Sequence, residues 1–244
     1  NLGYHLPMYK NEFDNYLKQN KKFKSYMFYG QSMFLVEQYS LAIAQSFGEN
    51  DEIEKLYFEE YNFKYAKDKL LQSSLFSSNN ILLIKVEKKL PKKEVDTLIE
   101  ACNANPDSTL IFACLGDGDF KTMESSFSLK TNSVAVRFFQ PTDTEAIRFL
   151  EYEAKLLEMQ YEISALNHLY FMHKNDLALC VNDLKKLAIL DQLITVNLVD
   201  ANCFGIGVIN FEDFLHDLIS GKDVGDDLSL ILEEGMNEIF LLTQ

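Results

Sequence analysis

The chain has 244 residues, 47% of them hydrophobic and 25% charged, an ordinary globular composition with room for one large domain or two modest ones. Its 37 acidic residues outnumber its 23 basic ones and give a formal net charge of −14. An acidic chain gains no general attraction to a nucleic-acid backbone, so the charge reads as solubility and disfavours a stand-alone nucleic-acid binder.

Asn1–Pro7 precede Met8, a natural start, and are expected to be a tag or leader remnant. Tyr9–Asn20 reads as an opening helix, with Phe13 and Leu17 four apart. The basic run Lys21-Lys22 with Lys24 reads as a solvated connection. Tyr26-Met27-Phe28-Tyr29, ended by Gly30, reads as a buried strand and turn. Met33–Phe47 follows as a helix whose inner face is expected at Phe34, Leu35, Tyr39, Ala42, Ile43 and Ser46. Glu54–Glu59 alternates around Leu56 and Phe58, a second strand, and Phe63–Ser74 repeats Ala66, Leu70 and Leu71 at helical spacing.

Ser73-Ser74-Leu75-Phe76-Ser77-Ser78 then sets two large apolar residues inside four serines. Ile81–Ile84, with Val86, is a continuous apolar run of the kind found in strands buried on both faces. Pro91 is expected at the first position of a helix carrying Val95, Leu98, Ile99 and Cys102 on one side. Asn105-Pro106-Asp107 is turn chemistry, Thr109–Leu115 another apolar strand, and Val134–Phe138 the last.

Residues 8–140 therefore alternate strand and helix through five strands, which predicts a parallel sheet with helices on both faces. After Pro141 the strand signal stops. Helices are expected at 143–159, 163–173, 177–187 and 196–203, the third capped by Asn175-Asp176, so residues 141–203 read as a small helical domain. Residues 204–244 break at Gly205 and Gly207, resume helical patterning from Phe211, and stop inside an amphipathic stretch, which suggests a third helical domain present only in part.

Three tests for chemistry come out weak. Gly30-Gln31-Ser32 occupies the strand-to-helix turn of a phosphate-binding loop, but it has one glycine and no lysine, so a degenerate, non-functional loop is expected. Asp117 and Asp119 beyond a buried strand could hold magnesium with Glu59, Glu60 or Glu87, yet Gly116-Asp117-Gly118-Asp119 reads first as a turn. This leaves a magnesium-dependent nucleotide or phosphate hydrolase as the rival function. No nucleophile-and-base constellation is legible: His5, His168, His173 and His216 have no Ser or Cys partner, and His168 and His173 read as half-buried helix residues. Cys102, Cys114, Cys180 and Cys203 form no CxxC pair and sit in apolar or helical contexts. No metal site is expected, the compartment reads as reducing and cytoplasmic, and no apolar run is long enough to span a membrane.

From pattern alone, Leu75 and Phe76 read as the last core residues of a helix. Against this, adjacent helical residues point about 100° apart and serines offer no covering bulk, so an exposed pair fit for an interface stays open.

The order Tyr26–Gly30, Phe34-Leu35-Val36-Glu37, then Leu75-Phe76 ahead of Ile81–Ile84 resembles the δ subunit of bacterial DNA polymerase III. Asn175-Asp176-Leu177 leading to Asp183–Ala188 resembles that family's second domain, and Phe211–Gly221 the start of its third. The resemblance implies an AAA+-like α/β domain, a helical lid and an all-α collar. It also implies a clamp-loader subunit without catalysis of its own in the polymerase holoenzyme, binding the ring-shaped sliding clamp (β subunit) and springing it open for loading on primed DNA. Leu75 and Phe76 would be the clamp-binding wedge, with Gln72, Ser73 and Ser74 bearing against the ring. No cofactor is implied for this chain: ATP would be bound by partner ATPase subunits, which with δ′ would assemble through the collar.

Overall fold

The computed structural model describes residues 8–72, 79–116 and 118–203. Two compact units divide between Thr142 and Asp143.

The first unit is built on six parallel strands: β1 (Met8–Tyr9), β2 (Ser25–Gly30), β3 (Ile53–Tyr57), β4 (Asn80–Val86), β5 (Ser108–Cys114) and β6 (Ser133–Phe138), in the order β1-β6-β2-β5-β4-β3. The expected five strands become six. Tyr9, expected in the opening helix, instead pairs beside Arg137 in β1, and α1 runs Lys10–Lys18. A two-residue strand shows no periodicity, and only its pairing with β6 defines it.

The pleat sorts side chains to two cores. Leu82, Ile84, Leu110, Phe112 and Met27 face α3 (Phe63–Leu71) and α4 (Lys92–Ala104). Ile81, Leu83, Ile111, Ala113 and Phe28 face α1 and α2 (Met33–Gln45). β4 is thus buried on both faces, as its unbroken apolar run requires.

Other boundaries moved. β3 ends at Tyr57, because Phe58–Glu60 turns as a 3-10 segment in which the Glu60 carboxylate accepts the Tyr57 N–H at 3.0 Å. α2 buries Leu35, Val36, Ser40, Ile43 and Ala44, while Ala42 and Ser46 are exposed. The inward stripe is rotated from the expected one, since Val36, Ser40 and Ala44 continue it at spacings of four. Pro91 stands at the N-cap of α4 rather than inside it. The β5–β6 connection holds a short helix, α5 (Lys121–Glu124), that sequence reading missed. Scarce glycine leaves left-handed turns to Asn20, Asn132 and Asn175.

The described part of the second unit is α6 (Asp143–Leu156), α7 (Ile163–Met172), α8 (Leu177–Ala188) and α9 (Val196–Asn202). Asp176 caps α8 by accepting from the Ala178 and Leu179 amides. Ala165, Leu166, Leu169, Cys180, Leu184 and Leu187 are buried, and a single bridge joins Tyr161 to Ile194. The expected collar, 204–244, lies outside the described residues. Among the described residues no helix is long and apolar enough to cross a membrane.

Candidate functional site

The two ends of the sheet differ in what they offer. At the carboxyl ends of β2, β5 and β6, a cleft of about 210 Å³ is lined by Tyr29, Gln31, Asp119, Lys121 and Arg137 among others. This is where open α/β sheets bind ligands. The Gly30 loop at its rim is committed to the protein itself. The Gln31 N–H donates to the Phe138 carbonyl at 2.8 Å, and the Gln31 carbonyl accepts from Gln140 Nε2 at 2.8 Å. Ser32 is buried and caps α2, its Oγ accepting the Leu35 N–H at 3.3 Å. Gly30 has φ +135°, and a Cβ there would lie 2.0 Å from the Phe138 carbonyl oxygen. Its glycine therefore serves the close approach of β6, a requirement that has nothing to do with phosphate.

The carboxylates near this end are likewise engaged locally. Asp119 Oδ1 accepts the Lys121 N–H at 3.2 Å, and Glu87 is exposed after β4. Asp117 lies outside the described residues. Tyr29 donates to Glu124 Oε2 at 2.5 Å; burial and this carboxylate hold its phenol protonated, well above its ordinary range. Among the described residues no group of three or more His, Cys, Asp or Glu is placed to hold a metal ion.

The amino ends of β4 and β5 face the carboxyl end of α3, the helix that precedes the stretch singled out in the sequence. Leu75 and Phe76, with Ser73, Ser74, Ser77 and Ser78, lie outside the described residues. What leads into them is well defined. α3 ends at Leu71 and Gln72 is its exposed C-cap. The last carbonyls of a helix have no intrahelical partner. Here buried side chains from β4, β5 and the turn between α4 and β5 supply them. Asn80 Nδ2 donates to the Lys69 carbonyl at 2.6 Å, Ser108 Oγ to that of Leu70 at 2.7 Å, and Asn105 Nδ2 to those of Leu70 at 3.0 Å and Gln72 at 3.1 Å. Asn80 Nδ2 also donates to Ser108 Oγ at 2.9 Å.

Lys24 closes the network by donating to the carbonyls of Asn105 and Pro106 at 2.8 and 2.6 Å. Partial burial pulls its ammonium below the usual lysine range, so Lys24 is structural rather than part of a solvated run. Sequence reading found the Asn105 turn but not this clasp. Its partners lie 11 to 82 residues apart, and only two asparagines flanking apolar strands hinted at it.

The rim of the α3 face is set by a second contact. The Tyr65 hydroxyl donates to Glu54, which also accepts Lys69 Nζ at 2.7 Å, tying α3 to the edge strand β3. Burial pushes the Glu54 carboxyl up, but the hydrogen bonds from Lys69 and Tyr65 outweigh it and hold the group below its usual range.

Comparison with known proteins bears on both units. Residues 26–139 match the family described as DNA polymerase III, delta subunit, and residues 142–201 match a family described as a middle domain. Proteins from two Helicobacter pylori strains are each 27% identical to this chain, over 96% of it and 74% of their own length. Among solved structures, the Bacillus subtilis DNA clamp loader delta protein superposes with a TM-score of 0.54 at 16% identity, over 92% of this chain and 72% of that one. A variant of the Thermotoga maritima RuvB branch-migration motor gives 0.51 at 15%, over 92% and 79%. At such identities the likeness is one of fold: a parallel α/β sheet flanked by helices.

Proposed function

We propose that this DNA polymerase III delta-like chain is a clamp-loader subunit that binds a ring-shaped sliding clamp and favours its opened form, so that the ring can be loaded on primed DNA. The match of residues 26–139 to the delta-subunit family carries the reading and supports a role in replication. Leu75 and Phe76 are the wedge: two apolar side chains entering a pocket on the ring contribute roughly 1.5–3 kcal/mol each. Gln72, Ser73 and Ser74 bear against the ring beside them. The clasp on the α3 carbonyls supports the reading, because it fixes the point from which the wedge segment departs. Opening follows from differential affinity, and the shift can be no larger than the preference for the open ring.

The subunit performs no catalysis of its own. The amide of Gln31 and the hydroxyl of Ser32 are spent on internal hydrogen bonds, which supports a phosphate loop that has lost its ligand. ATP is bound by partner ATPase subunits, met together with δ′ through residues 204–244, and the assembly works in the cytoplasm. The test is titration of the same organism's sliding clamp with this chain and with Leu75→Ala/Phe76→Ala. The doubly substituted chain is expected to lose binding and keep its melting temperature. Lost stability would return the pair to the core and sink the wedge.

A further inference from the structure

The cleft at the carboxyl ends of β2, β5 and β6 holds a guanidinium for which the fold gives no internal use. Arg137, in β6, is one of only two arginines among the chain's 23 basic residues, and the other, Arg148, is exposed on α6. Arg137 is half-buried and lines the cleft with Tyr29, Asp119 and Lys121. Its Nε is closed off from solvent and meets no hydrogen-bond partner among the described residues. A buried N–H without an acceptor costs free energy, and most such groups in folded proteins are paired. Carboxylates are plentiful in this acidic chain, and Lys10, Lys69, Lys85 and Lys92 each meet one at 2.6 to 2.9 Å. Those at the cleft are engaged elsewhere: Glu124 Oε2 accepts from Tyr29, and Asp119 Oδ1 accepts the Lys121 N–H. The guanidinium is nevertheless held in place. Strand register sets Tyr9 and Tyr29 on either side of Arg137, on the same face of the sheet. The Phe139 ring stacks on Tyr9 at 5.6 Å, and its centroid lies 5.3 Å from Arg137 Cζ. A cation fixed by aromatic rings and lacking an acceptor is preorganised for a ligand that brings one.

We propose that this cleft binds a phosphate group, free or as a small monoester, seated on Arg137 and Lys121. Arginine presents a planar fork of N–H groups that matches the edge of an oxyanion, which is why lysine would not serve equally at this position. Two cations favour phosphate, which carries about −1.5 to −2 near pH 7, over a carboxylate with its single charge. Volume sets the size of the ligand. The cleft, about 210 Å³, has room for several waters but falls below the roughly 300–1,000 Å³ of pockets that enclose drug-sized ligands, so it suits phosphate or a small ester rather than a whole nucleotide. The site does not revive the Gly30 loop, whose Gln31 N–H is engaged by Phe138; side chains hold the ligand instead. Nor does it depend on the clamp contact proposed above.

The experiment titrates the full chain with inorganic phosphate, glycerol phosphate and acetate at constant ionic strength, read by calorimetry and by nitrogen NMR of the arginine Nε–H groups. With two arginines in the chain, Arg148→Lys assigns the two signals. Phosphate is expected to shift the Arg137 signal saturably and leave that of Arg148 in place. Acetate should bind about tenfold more weakly or worse, and Arg137→Met should lower phosphate affinity about tenfold or more. Because Arg137→Met removes an unpaired buried donor, it should melt no lower than the unsubstituted chain in phosphate-free buffer. If it does melt lower, Arg137→Lys, which keeps the charge and loses the fork, takes its place with the same expected loss. Tighter binding of glycerol phosphate than of phosphate assigns the site to a monoester, and the reverse to free phosphate; both uphold it. Phosphate that moves neither signal, or both alike as general screening would, overturns the proposal. So does acetate that binds as tightly as phosphate, or an Arg137 variant that keeps full phosphate affinity.

Discussion

Asp183 on α8 joins two helices of the second unit: Oδ2 meets His173 Nε2 at 2.7 Å and Oδ1 accepts Lys186 Nζ at 2.8 Å. Both Asp183 and His173 are buried. Burial pushes the Asp183 carboxyl up, but the hydrogen bonds and charges of Lys186 and His173 outweigh it and hold it below the carboxylate range. A depressed carboxyl stabilises the fold at pH values above its unfolded pKa of about 3.9, and that stabilisation fades as pH falls through the folded value. Asp183→Ala strands His173 without its partner and is expected to cost about 1–3 kcal/mol near pH 7 by urea unfolding. The gap between the two proteins should shrink below about pH 4; a gap independent of pH would contradict the assignment. The sequence placed His173 on a helix as a half-buried residue. Its buried partner sits ten positions on, in the next helix, where no spacing rule reaches. His168 is half-exposed and faces Asp200 at 2.6 Å.

Among the elements, α3 shows how side chains from distant segments can hold a helix end. Its C-terminal carbonyls are held by Asn80, Asn105 and Ser108, one from each of the segments packed below it. Asn105→Ala removes the side-chain donor to the Gln72 carbonyl and is expected to destabilise the α/β unit by about 1–3 kcal/mol. On the proposed function it should also weaken clamp binding, because Gln72 leads into residues 73–78. Asn105→Asp is the matched control. It keeps the acceptor for the Asp107 N–H but sets a carboxylate against two carbonyls, so it should fare no better. Binding by both variants at full affinity would separate the clasp from function. The helix itself was legible from Ala66, Leu70 and Leu71, and so were the serines beyond it. The clasp was not, because it joins three segments far apart in the chain. The same contrast holds at the other sheet end, where the strand-to-helix turn at Gly30 was legible but the close approach of its backbone to Phe138 was not.

For the whole molecule, the division between Thr142 and Asp143 has a direct consequence. The two cores of the first unit are complete without α6–α9, so residues 1–142 are expected to unfold in one cooperative transition by differential scanning calorimetry. On the proposed function they should bind the clamp as tightly as the full chain, since α3, the clasp and residues 75–76 all belong to that unit. A fragment that fails to fold or to bind would show that the second unit is required. Alternation of apolar strands and amphipathic helices was sufficient, from sequence alone, to determine a parallel α/β layer followed by helices, because burial on both faces and helical periodicity are local patterns. Only the tertiary structure decided the strand order, the sixth strand, the clasp on α3 and the His173–Asp183 pair. Each depends on which distant segments meet, and the pairing of distant residues leaves no period in the chain.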